Sequence, residues 1–217
     1  MLLINTEIKE NLKLPYLAHL VGMFAISTSA ILIRYSNSEP LVIGTYRQAF
    51  ATLAFLPFIF KDRGAEISSQ SNSTLLEMAL TGILLGAHFS FFITSVKETS
   101  VAASVLLATC HVVYVAILGK IFFGETLSKK AIIGTTIALG GILVLFGGDL
   151  IDNPGNFKGN FYAFVAGVLA GLYYLSGRKL RRTISLPTYA FVVYFFSFIS
   201  MFIVVLIKNL NYENLTI

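Results

Sequence analysis

The sequence predicts an all-α integral membrane protein of about seven transmembrane helices. Three observations carry that prediction. Of the 217 residues, 56% are hydrophobic and only 12% are charged, where a soluble domain carries about 25% charge. Seven runs are long and apolar enough to cross hydrocarbon, which takes about 20 residues. The basic residues cluster on alternate connections between those runs. Too few charges remain to clothe a water-soluble surface, so a soluble globular enzyme is excluded.

The runs follow in order. Residues 14–36 open the series behind Lys9 and Lys13. That stretch exceeds the 7–15 apolar residues of a signal peptide and leads straight into further spans, so an uncleaved first helix is expected. Asn37-Ser38-Glu39-Pro40 ends it. Span two covers 41–60 and stops at Lys61-Asp62-Arg63-Gly64. The polar, serine-rich stretch 61–73 reads as a mobile loop before span three, 75–95. Span four is 100–122, span five 131–148, span six 159–176 and span seven 188–207. Asp149 through Gly155 separates spans five and six. The runs are continuous, without the two-residue alternation of barrel strands, so helices are the way to satisfy their backbone in lipid.

Charge sets the expected orientation. With the N-terminus cytoplasmic, the inner segments hold Lys9, Lys13, Lys61, Arg63, Lys120, Lys129, Lys130, Arg178, Lys179, Arg181 and Arg182. The outer segments hold Arg34, Lys97, Lys158 and Lys208. The positive-inside rule favours that orientation. The net charge of +5 is thereby a topology signal, and no nucleic-acid partner is expected. The lipid bilayer is the expected surrounding.

Polar groups at membrane depth carry a cost that function can explain. Arg47 stands about six residues into span two, roughly 9 Å deep at 1.5 Å per residue. His88 lies about as deep in span three. His111 falls near the middle of span four, with Ser104 and Tyr114 on the same helical face. These five residues, Arg47, His88, Ser104, His111 and Tyr114, are the candidates for a substrate or proton pathway. Small residues recur every fourth position: Gly82 and Gly86, continued by Ser90 and Thr94, and Gly167 and Gly171 after Ala163. Such stripes let helix backbones approach closely, so these glycines are expected at packing seams. Phe89, Phe91 and Phe92 are available to line a pocket, whereas Tyr46, Tyr173 and Tyr174 read as packing or interfacial side chains.

The single cysteine, Cys110, excludes a disulfide framework. His19, His88 and His111 are too scattered for a metal motif, and no metal or cofactor is expected. No Walker A pattern occurs. Ser176 has no G-x-S-x-G setting and no histidine follows it in the chain, so an intramembrane serine enzyme is not expected.

Three stretches in order carry a family resemblance. Ala102-Ala103-Ser104-Val105-Leu106-Leu107 leads through span four to the turn Gly124-Glu125-Thr126-Leu127-Ser128. A glycine-containing run follows from Gly134 to Phe146. Earlier, Tyr46-Arg47 stands between Pro40 and Pro57. With these the chain resembles the EamA family of the drug/metabolite transporter superfamily. The resemblance implies a secondary transporter of ten helices in two inverted five-helix repeats, with its site near the midplane. Residues 14–148 would be a complete first repeat and 159–217 an incomplete second, holding two of five helices. It implies alternating-access transport of a small metabolite or drug-like solute, coupled to a proton or exchange gradient, in the bacterial inner membrane. The alternative is a truncated or non-transporting membrane subunit lacking the last three helices, which self-association or a partner would supply. One departure is local: where the family often has a proline midway along its fourth helix, this chain has His111, after Cys110.

Overall fold

The computed structural model describes residues 2–60 and 64–210. Among them the chain is helical, with no strand. The elements are α1 (Leu2–Tyr35), α2 (Pro40–Phe58), α3 (Gly64–Ser68), α4 (Asn72–Glu98), α5 (Val101–Thr109), α6 (His111–Phe123), α7 (Lys129–Asp152), α8 (Phe157–Leu180) and α9 (Leu186–Ile207). A 3₁₀ turn, Pro154–Asn156, precedes α8.

Five helical segments are long and apolar enough to cross a membrane: Tyr16–Tyr35, Asn72–Glu98, Val101–Phe123, Lys129–Gly148 and Leu186–Ile207. The other two expected spans fall in α2 and α8, whose apolar runs are diluted. Arg47 and Gln48 interrupt α2; Lys158, Asn160, Arg178 and Lys179 lie in the end turns of α8. Two further expectations change. Residues 61–73 are not simply a loop, because α3 forms there. Span four is not one continuous helix, because its backbone breaks at Cys110, with φ −64° and ψ 8°. No proline causes that break. Thr109 Oγ donates to the carbonyls of Val105 and Leu106, and such back-bonding competes with the helical ladder.

Helix ends are closed by local chemistry. Ser71 and Ser100 accept the Thr74 and Ala103 amides at 3.2 and 3.1 Å, each satisfying a first-turn donor of its helix. Gly124, at φ 63°, ends α6 in the left-handed conformation that glycine adopts without penalty.

α4 is the central helix, packed on α2, α8 and α9. Its crossing with α9 depends on glycine. A Cβ on Gly82 would lie 2.6 Å from the Val193 carbonyl, and one on Gly86 2.5 Å from the Ser200 hydroxyl. On α8, Gly167 and Gly171 receive the Tyr114 side chain and the Leu107 carbonyl. Buried hydroxyls and amides pair between helices: Ser95 with Ser104 at 3.0 Å, and Thr99 with Asn160 at 2.8 Å. Such pairing is the alternative to unsatisfied polar groups in an apolar surround.

The two ends of the bundle are tied differently. At one, Arg34 donates to the carbonyls of Val96, Lys97 and Thr99, closing the C-terminus of α4. Lys97 returns the favour to the carbonyls of Ser36 and Ser38, just past α1. Each cation thus meets the negative end of the other's helix. At the opposite end, Lys179 pairs with Glu77 at 2.8 Å and Arg178 with Glu125. There Glu66, from α3, accepts the Ser185 amide at 2.8 Å and the Ser185 and Thr188 hydroxyls at 2.6 Å. A connector carboxylate thereby caps the N-terminus of α9.

Candidate functional site

The site grows from the one arginine set within the core of a helix. α2 directs Arg47 toward α4, where its guanidinium carbon lies 5.0 Å from the centroid of the Phe89 ring. Nη1 is buried and finds no hydrogen-bond partner. The next residue, Gln48, is 2% exposed and its Oε1 is likewise unpartnered. A cation over an aromatic face is attracted by the ring quadrupole. The empty donor nevertheless leaves the guanidinium able to bind an acceptor from outside the chain.

His88 stands one residue before Phe89 on α4. Its Nδ1 is 2.8 Å from the Ala166 carbonyl of α8. The ring stacks on Phe92 at 6.1 Å and meets Phe89 edge-on at 5.0 Å. His111 opens α6 at the backbone break and stacks on Tyr174 of α8, with ring centroids 4.6 Å apart. Tyr174 in turn meets Tyr173 at 5.2 Å. Tyr194 of α9 packs on Phe55 of α2 at 5.7 Å. Arg47, His88 and the Phe89 ring form the centre.

The structure brings Arg47 and His88 to the same Phe89 ring and places His111 against Tyr174. It does not bring Ser104 or Tyr114 there. Ser104 is fully buried and its hydroxyl is bonded to Ser95. The Tyr114 ring fills the notch at Gly167 and Gly171 and meets Phe164 edge-on at 5.6 Å. Both act in helix packing. Sequence reasoning missed Gln48 and read Tyr174, the stacking partner of His111, as a packing or interfacial side chain. The adjacency of Gln48 to Arg47 was a usable signal; the pairing of Tyr174 with His111 had none, since it depends on how α8 crosses α6.

Two open grooves of about 420 and 400 Å³ lie away from this centre, toward the Lys208 end of α9. Among the described residues no group of His, Cys, Asp or Glu is arranged to hold a metal.

The family model described as the EamA-like transporter family matches residues 13–147. An uncharacterized transporter of Archaeoglobus fulgidus is 28% identical over 148 residues, covering 68% of this chain and 51% of the relative. An uncharacterized transporter of Helicobacter pylori is 23% identical over 163 residues, 73% of this chain and 52% of the relative. The chain thus spans about half the length of the curated relatives it matches. No solved structure matches it.

Proposed function

Because the chain belongs to the EamA-like transporter family, we propose that it moves a small metabolite or drug-like solute bearing an anionic group across a membrane, by alternating access. Arg47 carries the reading: a cation within a helical bundle whose Nη1 is buried without a partner. Such a group is costly unless something fills it. The solute's carboxylate or phosphate would take that donor, and Phe89, Phe92 and Tyr174 would cover its apolar body. His88 and His111 would supply hydrogen bonds or a proton, with a proton or exchange gradient as the driving force. The break at Cys110 gives α5 and α6 a joint about which to move, as discontinuous helices do in transporters. Residues 14–148 act in this proposal as a first five-helix repeat and 159–217 as part of an inverted second. The N-terminus would be cytoplasmic and the bacterial inner membrane the location. The chemistry asked of the residues is binding and release, without a covalent step.

The test is release from proteoliposomes preloaded with a mixture of small anionic, neutral and cationic metabolites, read by mass spectrometry. Arg47→Gln should cut release of the anionic solutes by about tenfold or more, and Arg47→Lys less. Equal release of anionic solutes by wild type and Arg47→Gln would overturn the assignment.

A second reading follows from the span of about half the relatives' length. The chain would then be a membrane subunit whose further helices come from a second copy or a partner. Cross-linking in native membranes separates the two: a single-chain species that supports release favours the first, and release only from a cross-linked assembly favours the second.

A further inference from the structure

We propose that the groove between α4 and α9 holds one acyl chain of a phospholipid with a primary-ammonium zwitterionic headgroup. The groove begins where the glycine crossing ends. Gly82 and Gly86 hold α9 against α4, but the next two small residues of the stripe, Ser90 and Thr94, face open space instead. The two helices have parted by that level. The volume left is about 420 Å³, with Ile83, Phe91, Met201 and Val204 among its walls. Ile83 and Val204 are 46% and 38% exposed, so the groove opens sideways, to the surround of the bundle.

Its chemistry favours hydrocarbon over a polar solute. The hydroxyls of Ser90, Thr94 and Ser200 all donate back to their own helices, to Gly86, Ser90 and Ser197 carbonyls at 2.7–2.8 Å. The protons of these three hydroxyls are therefore already committed, and Tyr162 carries the fourth hydroxyl of the wall. Its length fits too. From Ile83 to Thr94 along α4 is about 17 Å at 1.5 Å per residue, close to one leaflet of a hydrocarbon core about 30 Å thick.

The rim fits a headgroup of both signs. The groove runs into the second depression, about 400 Å³, through their shared Leu41, Thr94 and Lys208. Glu39, Lys97 and Glu98 line that depression. Lys97 is engaged by the Ser36 and Ser38 carbonyls, and Glu98 meets Lys158 only loosely, at 3.6 Å on the surface. Lys208, at the junction, would meet the phosphate, and Glu39 and Glu98 the ammonium. A quaternary headgroup has no N–H to give those carboxylates, and an anionic one is repelled by them.

The chain contains no tryptophan, so an introduced indole is an unambiguous reporter. Val204→Trp, with Phe91→Trp as a second placement, is reconstituted in phosphatidylcholine with brominated phosphatidylethanolamine, phosphatidylcholine or phosphatidylglycerol as quencher. Leu143→Trp, on the bare face of α7, reports ordinary lipid. The groove indoles should be quenched about fivefold more effectively by the ethanolamine lipid than by the glycerol lipid, and Leu143→Trp equally by both. Adding Glu39→Gln and Glu98→Gln together should remove the preference. Equal quenching by all headgroups overturns the proposal. So does displacement by soluble glycerophosphoethanolamine, which would make the groove a solute site. Unquenched groove indoles would overturn it as well, because protein then fills the groove.

Discussion

Replacing Gly82 by alanine adds one methyl group at the tightest point of the α4–α9 crossing. Its Cβ would stand 2.6 Å from the Val193 carbonyl oxygen, 2.7 Å from Phe196 Cβ and 3.1 Å from the Ser197 amide nitrogen. Comfortable carbon contacts are about 3.5–4.0 Å. Two of the three atoms are backbone, so no rotamer change relieves the clash and α9 must retreat. Overpacking of this kind costs about 1–3 kcal/mol. Alanine in a helix interior offsets part of that, contributing about 0.5–1 kcal/mol over glycine. Gly140→Ala on α7 has the same backbone benefit and no atom within 4 Å, so the difference between the two variants isolates the steric cost. Gly82→Ala should be destabilised and Gly140→Ala slightly stabilised, about 1–3 kcal/mol apart, measured by reversible unfolding in mixed detergent micelles. Equal shifts for both would refute the close crossing and, with it, the origin of the groove beyond Gly86.

Other substitutions test other parts of the fold and site. Glu66→Gln should destabilise the protein by about 1–2 kcal/mol, because the carboxylate accepts three hydrogen bonds at the start of α9; hydrogen exchange should rise at the amides of residues 185–188. Ser95→Ala orphans the Ser104 hydroxyl and should cost about 0.5–1.5 kcal/mol; Ser104→Ala leaves Ser95 donating to the Phe92 carbonyl at 2.7 Å and should cost less, and the double variant should cost less than the sum; the same unfolding assay measures the cycle. Lys97→Met removes a donor from the Ser36 and Ser38 carbonyls and should increase exchange of the amides around residues 36–40. His111→Ala should lower solute release from proteoliposomes while leaving the unfolding midpoint nearly unchanged, since the half-exposed ring contacts Tyr174 at the surface of α8.

The helices were legible wherever composition alone decides them. Continuous apolar runs with charged or proline-containing breaks mark α4, α9, the end of α1 and the start of α7 to within a turn, whereas α1 begins at Leu2 and α7 runs to Asp152. The break at Cys110 was not legible, because neither glycine nor proline stands there. Helix α3 was hidden in a serine-rich stretch whose composition favours loops; its fixed point is Glu66, whose partners lie 119 and 122 residues away. Arg47 and His88 were conspicuous as polar groups within apolar runs, and that cost is visible without a structure. Their meeting at Phe89 was not, since it depends on how α2 lies across α4. Ser104 and Tyr114 share a helical face with His111 in projection, but the kink and the approach of α8 turn both toward packing partners. The small-residue stripe on α4 was readable as a stripe; only the parting of α9 divides it into a contact half and a groove half.

The central claim is a bundle that crosses a membrane with its Arg34 end on one side and its Arg181 end on the other. The most direct measurement is labelling of single cysteines in intact cells, in a Cys110→Ala background, with a membrane-impermeant maleimide. Asn37→Cys should label at once, and Arg181→Cys only after the membrane is permeabilised. Labelling of Arg181→Cys in intact cells, or of both positions from the same side, would contradict the account.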